Sequence, residues 1–176
     1  MGAMGGISLA FIQIEPKEIA DNPFKLIGGD WMLITAGDEK KCNTMTASWG
    51  GVGVLWNKPV SFIFVRPQRY TREFIEREQA YSLCFFEDGF RPQLSYLGTA
   101  SGRDEDKIDK AGLTTAFEGG VPYFEQARLV LICKKSYRDD LKADCFLDAE
   151  ADARCYPEKD YHRMYVGEIV KVLKKK

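Results

Sequence analysis

The sequence predicts a mainly β fold, an antiparallel barrel or sandwich with a few short helices attached. Apolar residues run with period two or in short β-rich stretches along six or seven segments, helical signals appear in only three short ones, and the strand–helix alternation of a parallel sheet is missing. A length of 176 residues, 45% of them hydrophobic, suits one domain spanning 1–176 with its own core. Residues 1–6, Met-Gly-Ala-Met-Gly-Gly, read as a cloning remnant or a disordered leader.

The elements follow in chain order. Glu15–Pro23 reads as a short helix with Pro16 in its first turn and Pro23 as its stop, after which Gly28-Gly29-Asp30 turns the chain. Trp31–Thr35 is strand-like. Asn43–Trp49 alternates strictly, setting Thr44, Thr46 and Ser48 on one face and Met45, Ala47 and Trp49 on the other. Pro59–Val65 is a further strand, with proline at the first position where a missing N–H is tolerated. Thr71–Glu78 reads as a helix with Thr71 as its N-cap and Phe74 and Ile75 inward, and Tyr81–Phe86 returns to strand. Ser101-Gly-Arg-Asp104 has the spacing of a capping box opening a helix through Asp106–Lys110, which Gly112 ends. Ala127–Tyr137 and Met164–Leu173 are long β-rich runs.

Composition excludes several functions. Lys and Arg number 25 against 26 Asp and Glu, so no general basic field is available for nucleic acid. No run approaches the roughly 20 apolar residues that cross a bilayer, and no Lys or Arg precedes the short apolar stretch Ile7–Ile14 as a secretory signal requires, so a soluble cytoplasmic protein is expected. The five cysteines form no C-x-x-C, which argues against a zinc site and a disulfide framework; Cys84 and Cys133, inside apolar runs, read as small buried hydrophobes.

Four clusters carry candidate chemistry: the hydroxyl strand 43–49, Arg66-Pro-Gln-Arg-Tyr-Thr71, Ser101-Gly-Arg-Asp-Glu-Asp-Lys107, and the single histidine, His162. Each alone has a plain reading, as an exposed sheet face, solvated loop cations, a helix cap and a surface residue. No G-x-G-x-x-G or phosphate-loop motif is present. Together they match the needs of a phosphorylated planar cofactor such as flavin mononucleotide (FMN): donors for the polar ring edge, an apolar floor, and cations for the phosphate. Backbone N–H groups of 43–49 serve the ring edge while Thr44, Thr46 and Ser48 line the cavity. Trp49 and Trp56 supply apolar surface, and Arg66, Arg69 and the helix start at Thr71 attract the anion.

Asn43-Thr-Met-Thr-Ala-Ser-Trp-Gly50, Lys58-Pro-Val-Ser61, Arg66-Pro-Gln-Arg-Tyr-Thr71, Ser101-Gly-Arg-Asp-Glu-Asp-Lys107 and the ending His162…Gly167-Glu-Ile, in this order, resemble the flavin reductase-like family with its FMN-binding split barrel, and especially the flavoredoxin-like branch. The resemblance spans Pro23 to Val172. It implies a Greek-key split barrel that forms a homodimer and holds FMN without a covalent bond near the subunit interface. It further implies that Thr44, Met45, Thr46, Ala47 and Ser48 border the ring and ribityl chain with Ser61 close by, Asn43 and Trp49 at the two ends of that stretch counting among the cofactor-binding residues. Arg66, Arg69, Tyr70 and Thr71 then hold the phosphate end, and Ser101, Arg103 and Lys107 close over the site. His162 precedes Gly167 by five residues, the spacing of the G-D-H-x-x-x-x-G signature with which related NAD(P)H:flavin reductases place a nicotinamide. Asp160 and Tyr161 stand where that signature has Gly and Asp.

These observations lead to an FMN-dependent oxidoreductase that takes electrons from NAD(P)H and passes them to free flavin, a ferric chelate or a redox partner protein. The rival readings are an FMN-binding electron carrier without reductase activity of its own, and a β-barrel interaction module with no cofactor.

Overall fold

The computed structural model describes residues 10–176, so the expectation for residues 1–6 lies outside the described residues. Ten strands are found among them: β1 Phe11–Ile14, β2 Met32–Gly37, β3 Cys42–Ala47, β4 Gly50–Leu55, β5 Lys58–Val65, β6 Ala80–Phe85, β7 Thr115–Glu118, β8 Val121–Phe124, β9 Leu129–Asp140 and β10 Arg163–Lys175. Four α-helices accompany them: α1 Thr71–Arg77, α2 Arg91–Thr99, α3 Lys107–Lys110 and α4 Ala149–Cys155. The fold is the expected mainly β split barrel.

Seven strands pair in the order β3-β2-β6-β9-β10-β5-β4, every pair antiparallel, and β7 and β8 form a separate hairpin. β5 and β6 are consecutive in the chain yet separated by β9 and β10 in the sheet, which is Greek-key wiring. The long β10 forks the sheet. Its first half, Arg163–Glu168, lies against β5, and its end, Val172–Lys175, lies against β1, with register shifts between Val166 and Gly167 and between Ile169 and Lys171. The outermost strands, β3 and β4, are joined by Ser48 and Trp49 without pairing with each other.

Period-two alternation sorts the central strands into two apolar layers. Met32, Ile34, Tyr81, Leu83, Phe85, Leu131 and Cys133 fill the barrel interior, where Phe74 and Ile75 of α1 join them. Leu33, Cys84, Val130 and Ile132 point to the other face, beneath Leu94 and Leu97 of α2 and Tyr123 and Phe124 of β8. Strands buried on both faces explain why Leu129-Val-Leu-Ile-Cys133 reads as an unbroken apolar run. Cys84 and Cys133 are buried as expected, and burial pushes each thiol up to about 12, which leaves both inert.

Four local expectations are corrected. Pro23 opens rather than ends a helix: a single 3₁₀ turn, Pro16–Glu18, comes first, and a π-helical turn, Phe24–Gly29, starts directly after Pro23 and runs through the predicted glycine turn. Tyr70, not Thr71, holds the N-cap position of α1, with no side-chain cap; the Thr71 hydroxyl instead accepts from Asn43 Nδ2 at 2.9 Å. Ser101 opens no helix. The cap belongs to Asp106, whose carboxylate accepts from the Asp109 N–H, and Ser101 Oγ accepts from the Arg103 N–H. Finally β3 stops at Ala47, and β4 and α2 occupy segments for which no element is predicted.

Candidate functional site

The end of β3 and the link to β4 border a cleft of about 280 Å³. Met45, Thr46, Ala47, Ser48, Trp49, Arg66, Arg69 and His162 all line it, together with Phe64 of β5 and Gly98 of α2. Because β3 is an edge strand, one side of its backbone has no sheet partner and keeps donors and acceptors free for a ligand. A shallower, more apolar hollow of about 330 Å³ shares Thr46, Ala47, Ser48 and Gly98 and adds Trp31 and Leu94. A third depression, about 600 Å³, holds Asn43, Arg103 and Lys107. The predicted site residues are therefore divided among three hollows rather than gathered in one, and Thr44, Ser61, Tyr70, Thr71 and Ser101 line none of these.

The hydroxyl row does not line the cleft as expected. α2 covers that face of β3, so Thr46 Oγ1 donates to the Leu94 carbonyl at 2.6 Å, and Thr44, fully buried, pairs with Thr35 across the strands at 2.8 Å. Only Thr46 and Ser48 still reach the cleft wall. Ser61 lies inside the barrel, its hydroxyl 2.8 Å from the Tyr81 hydroxyl, and lines none of the hollows. Tyr70 and Thr71 belong to the packing of α1, and Ser101 to the turn after α2. Trp56 sits in the β4–β5 turn, its ring 6.4 Å from that of Tyr137, and contributes nothing to the cleft floor; Trp49 and Phe64 take that place.

The cations divide sharply by partner. Arg66 is already committed, with Nη1 on Asp160 at 2.5 Å and Nη2 on the Cys155 carbonyl at 2.8 Å. Arg103 is ion-paired with Glu73 and lies over the Tyr70 ring at 4.5 Å. Arg69 and Lys107 have no carboxylate partner among the described residues. Arg69 Nη1 rests on the Gly98 carbonyl at 2.8 Å, and Lys107 Nζ on those of Leu97 and Ala100 at 3.0 and 2.9 Å. These carbonyls end α2, the negative pole of that helix. Burial lowers the pKa of Arg69; burial, and then the charge of Arg69, bring Lys107 down to about 8. Two neighbouring cations, one of them 3% exposed, held out of water by carbonyl dipoles alone, form a corner that an anion would stabilise. The observed chemistry fits the phosphate of a flavin nucleotide.

Helix dipole support from α1 is weaker than the sequence suggests, because the Arg72 and Glu73 N–H groups are taken by the Arg69 and Tyr70 carbonyls. Backbone proximity matters elsewhere. A Cβ at Gly102 would run into the buried Asn43 side chain, and one at Gly98 would press on Thr46 at 3.3 Å, so both glycines let the α2–α3 region close onto β3.

At the far end of the cleft stands His162, 8% exposed. Its Nδ1 is 2.7 Å from the Tyr156 hydroxyl, and its ring centre is 5.4 Å from that of Trp49. Burial, reinforced by the charge of Arg66, pulls the imidazole down to about 4, so it is neutral near pH 7. Tyr156 and Phe64 are not foreseen from the sequence: the first lies in a polar stretch without periodicity, and the second is one aromatic among several on an alternating strand.

The sequence pattern of the flavin reductase like domain matches residues 25–176. Among solved structures, an FMN-binding domain of a flavin reductases-like enzyme from Shewanella baltica superposes with TM-score 0.68 at 16% identity, covering 94% of this chain and 77% of the other. Flavoredoxin from Methanosarcina acetivorans gives 0.65 at 22% identity, with 84% and 69% covered. An NADH:FAD oxidoreductase from Streptomyces globisporus gives 0.62 at 16%, with 92% and 85% covered. No curated protein matches the sequence.

Proposed function

Since the chain belongs to the flavin reductase-like family, we propose that it is an FMN-binding oxidoreductase that moves electrons from NAD(P)H to free flavin, a ferric chelate or a redox partner protein. The reading rests on one observation above the others: Arg69, half-buried, and Lys107, buried, lie close enough for the charge of Arg69 to lower the Lys107 pKa, and among the described residues their side chains meet carbonyls and no carboxylate. In this reading they hold the phosphate, with Arg103 and Asn43 lining the depression on the Lys107 side and Ser101 fixing the turn beside it. Met45–Trp49 flank the ring and ribityl chain, the edge of β3 offers N–H groups to the polar ring margin, and Ser61, buried inside the barrel against Tyr81, contributes only from the packing behind. Thr44, Tyr70 and Thr71 act from behind, as packing that fixes β3 against α1. Arg66 belongs to the His162 end rather than to the phosphate. Bound FMN supplies the hydride and single-electron chemistry. His162 is proposed to orient the nicotinamide through a hydrogen bond, with Trp49 and Phe64 keeping water from that end.

Work as a cytoplasmic homodimer is part of the proposal. No helix among the described residues is long and apolar enough to cross a membrane. The unpaired β4 edge with exposed Trp49, Val54 and Trp56 supports self-association.

A second reading, an FMN electron carrier without its own nicotinamide site, has a specific observation in its favour. Asp160 and Tyr161, in the place of the Gly and Asp of the nicotinamide signature, are already engaged by Arg66 and by Asp152. Anaerobic mixing separates the two. Bleaching of the flavin's visible band by NADH or NADPH at a catalytic rate supports the reductase, and bleaching by dithionite or a reduced partner protein alone supports the carrier. Protein that retains no added FMN after dialysis overturns both.

A further inference from the structure

His162 lines the cleft with one ring nitrogen spoken for and the other free of protein partners among the described residues. The environment of Tyr156 is unusually constrained for a residue in a loop. Its ring meets that of Tyr161 at a tilt, 4.9 Å between centres, and that of Phe146 edge-on at 5.7 Å, and the Arg66 guanidinium lies over it at 5.1 Å. Arg66 also grips the Cys155 carbonyl and the Asp160 carboxylate, on either side of Tyr156 in sequence. The phenol is thus pinned from its face and along its own backbone, and its hydroxyl points at His162 Nδ1.

Phenol is the better donor and a neutral imidazole nitrogen the better acceptor, so the proton in the Tyr156–His162 bond belongs to the oxygen. A ring whose Nδ1 accepts must carry its proton on Nε2. We propose that Tyr156 is a positioning residue: it fixes His162 as the Nε2–H tautomer at one ring angle and so presents a single N–H donor to the cleft, suited to a ligand carbonyl such as the carboxamide oxygen of a nicotinamide. The choice of ligand rests on the reductase reading above; the tautomer does not. Arg66 supports the arrangement by holding Tyr156, which gives this arginine a role distinct from phosphate binding. Burial of the imidazole keeps it neutral, as the hydrogen-bond pattern requires, although the nearby Asp160 carboxylate acts in the opposite direction.

His162 is the only histidine, so its ring nitrogens can be read without ambiguity by long-range proton–nitrogen NMR on the nitrogen-15-labelled full chain. The wild type should show a protonated Nε2 and a hydrogen-bonded, unprotonated Nδ1 through the neutral pH range. Tyr156→Phe keeps the packed ring and removes only the hydroxyl; it should shift the Nδ1 signal toward that of a free acceptor and broaden both resonances. In steady-state assays the same variant should raise KM for NADH or NADPH roughly tenfold, on the scale of a lost hydrogen bond, with a smaller change in kcat. In a His162→Ala background Tyr156→Phe should add nothing further. A protonated Nδ1 in the wild type overturns the proposal, as does a Tyr156→Phe spectrum identical to wild type. If the spectra behave as expected but neither nucleotide is used by the wild type, the positioning role stands and the reductase reading fails.

Discussion

A half-buried guanidinium and a buried ammonium rest on carbonyls at the end of α2, and the cost of that arrangement is the sharpest residue-level property of the molecule. Replacing Arg69 with Ala should weaken FMN binding by about 1–3 kcal/mol, or about five- to a hundred-and-fiftyfold in Kd by equilibrium dialysis. Apo stability should fall little or even rise, because a costly buried charge is removed. Gly102→Ala places a methyl group against Asn43, which is buried and tied to Thr71, and should cost about 1–3 kcal/mol in chemical denaturation. At this scale the sequence was informative about residue type and less so about partner. It marks Arg66, Arg69, Arg103 and Lys107 as cations near one site, but nothing in its spacing tells which of them spends its charge on Asp160 or Glu73.

The strands buried on both faces announce themselves as apolar runs, so β5, β6, β9 and β10 are legible to within a few residues. α2 is hidden because only Leu94 and Leu97 turn inward, diluted by Ser95, Gly98 and Thr99. β4 is hidden because three of its six residues are glycine. Missing α2 has a direct consequence for the site: without a helix to cover them, the hydroxyls of Thr44 and Thr46 look available, whereas the backbone and Thr35 take both. Leu97→Ala, at a fully buried position where α2 meets the sheet, should cost about 2–5 kcal/mol. Because the Leu97, Gly98 and Ala100 carbonyls hold Arg69 and Lys107, the same change should loosen FMN disproportionately to a core variant on the far side such as Leu131→Ala, measured as the ratio of the two effects.

Two titrations lie at the two ends of the site, and both have a defined sign. Lys107 has a folded pKa of about 8, below its ordinary value, and a bound phosphate would raise it. FMN binding therefore takes up a proton, and affinity should be greatest below about pH 8 and decline as pH rises through it; Lys107→Met should flatten that decline in fluorescence titrations. His162, depressed to about 4 from an ordinary 6.5, binds its proton in the unfolded chain first. Its contribution is fully present above about pH 6.5 and is lost as pH falls towards 4, so urea midpoints should drop across that window by more in the wild type than in His162→Asn.

The forked strand β10 has one more implication, which concerns synthesis rather than the finished molecule. Since β5, β9 and β1 all wait for residues 163–175, a growing polypeptide that has emerged from the ribosome as far as His162 carries β5 and β9 with one edge each unpaired and β1 without its sheet partner. The pairings of β10 with β5 and β1, such as Arg163 with Val65 and Lys175 with Phe11, join segments far apart in the chain and form slowly. Until they do, the nascent protein is a natural client for chaperones that shield exposed strand edges, and ribosome-stalled chains arrested before Arg163 should be digested by protease far faster than chains arrested beyond Lys176 by a long linker.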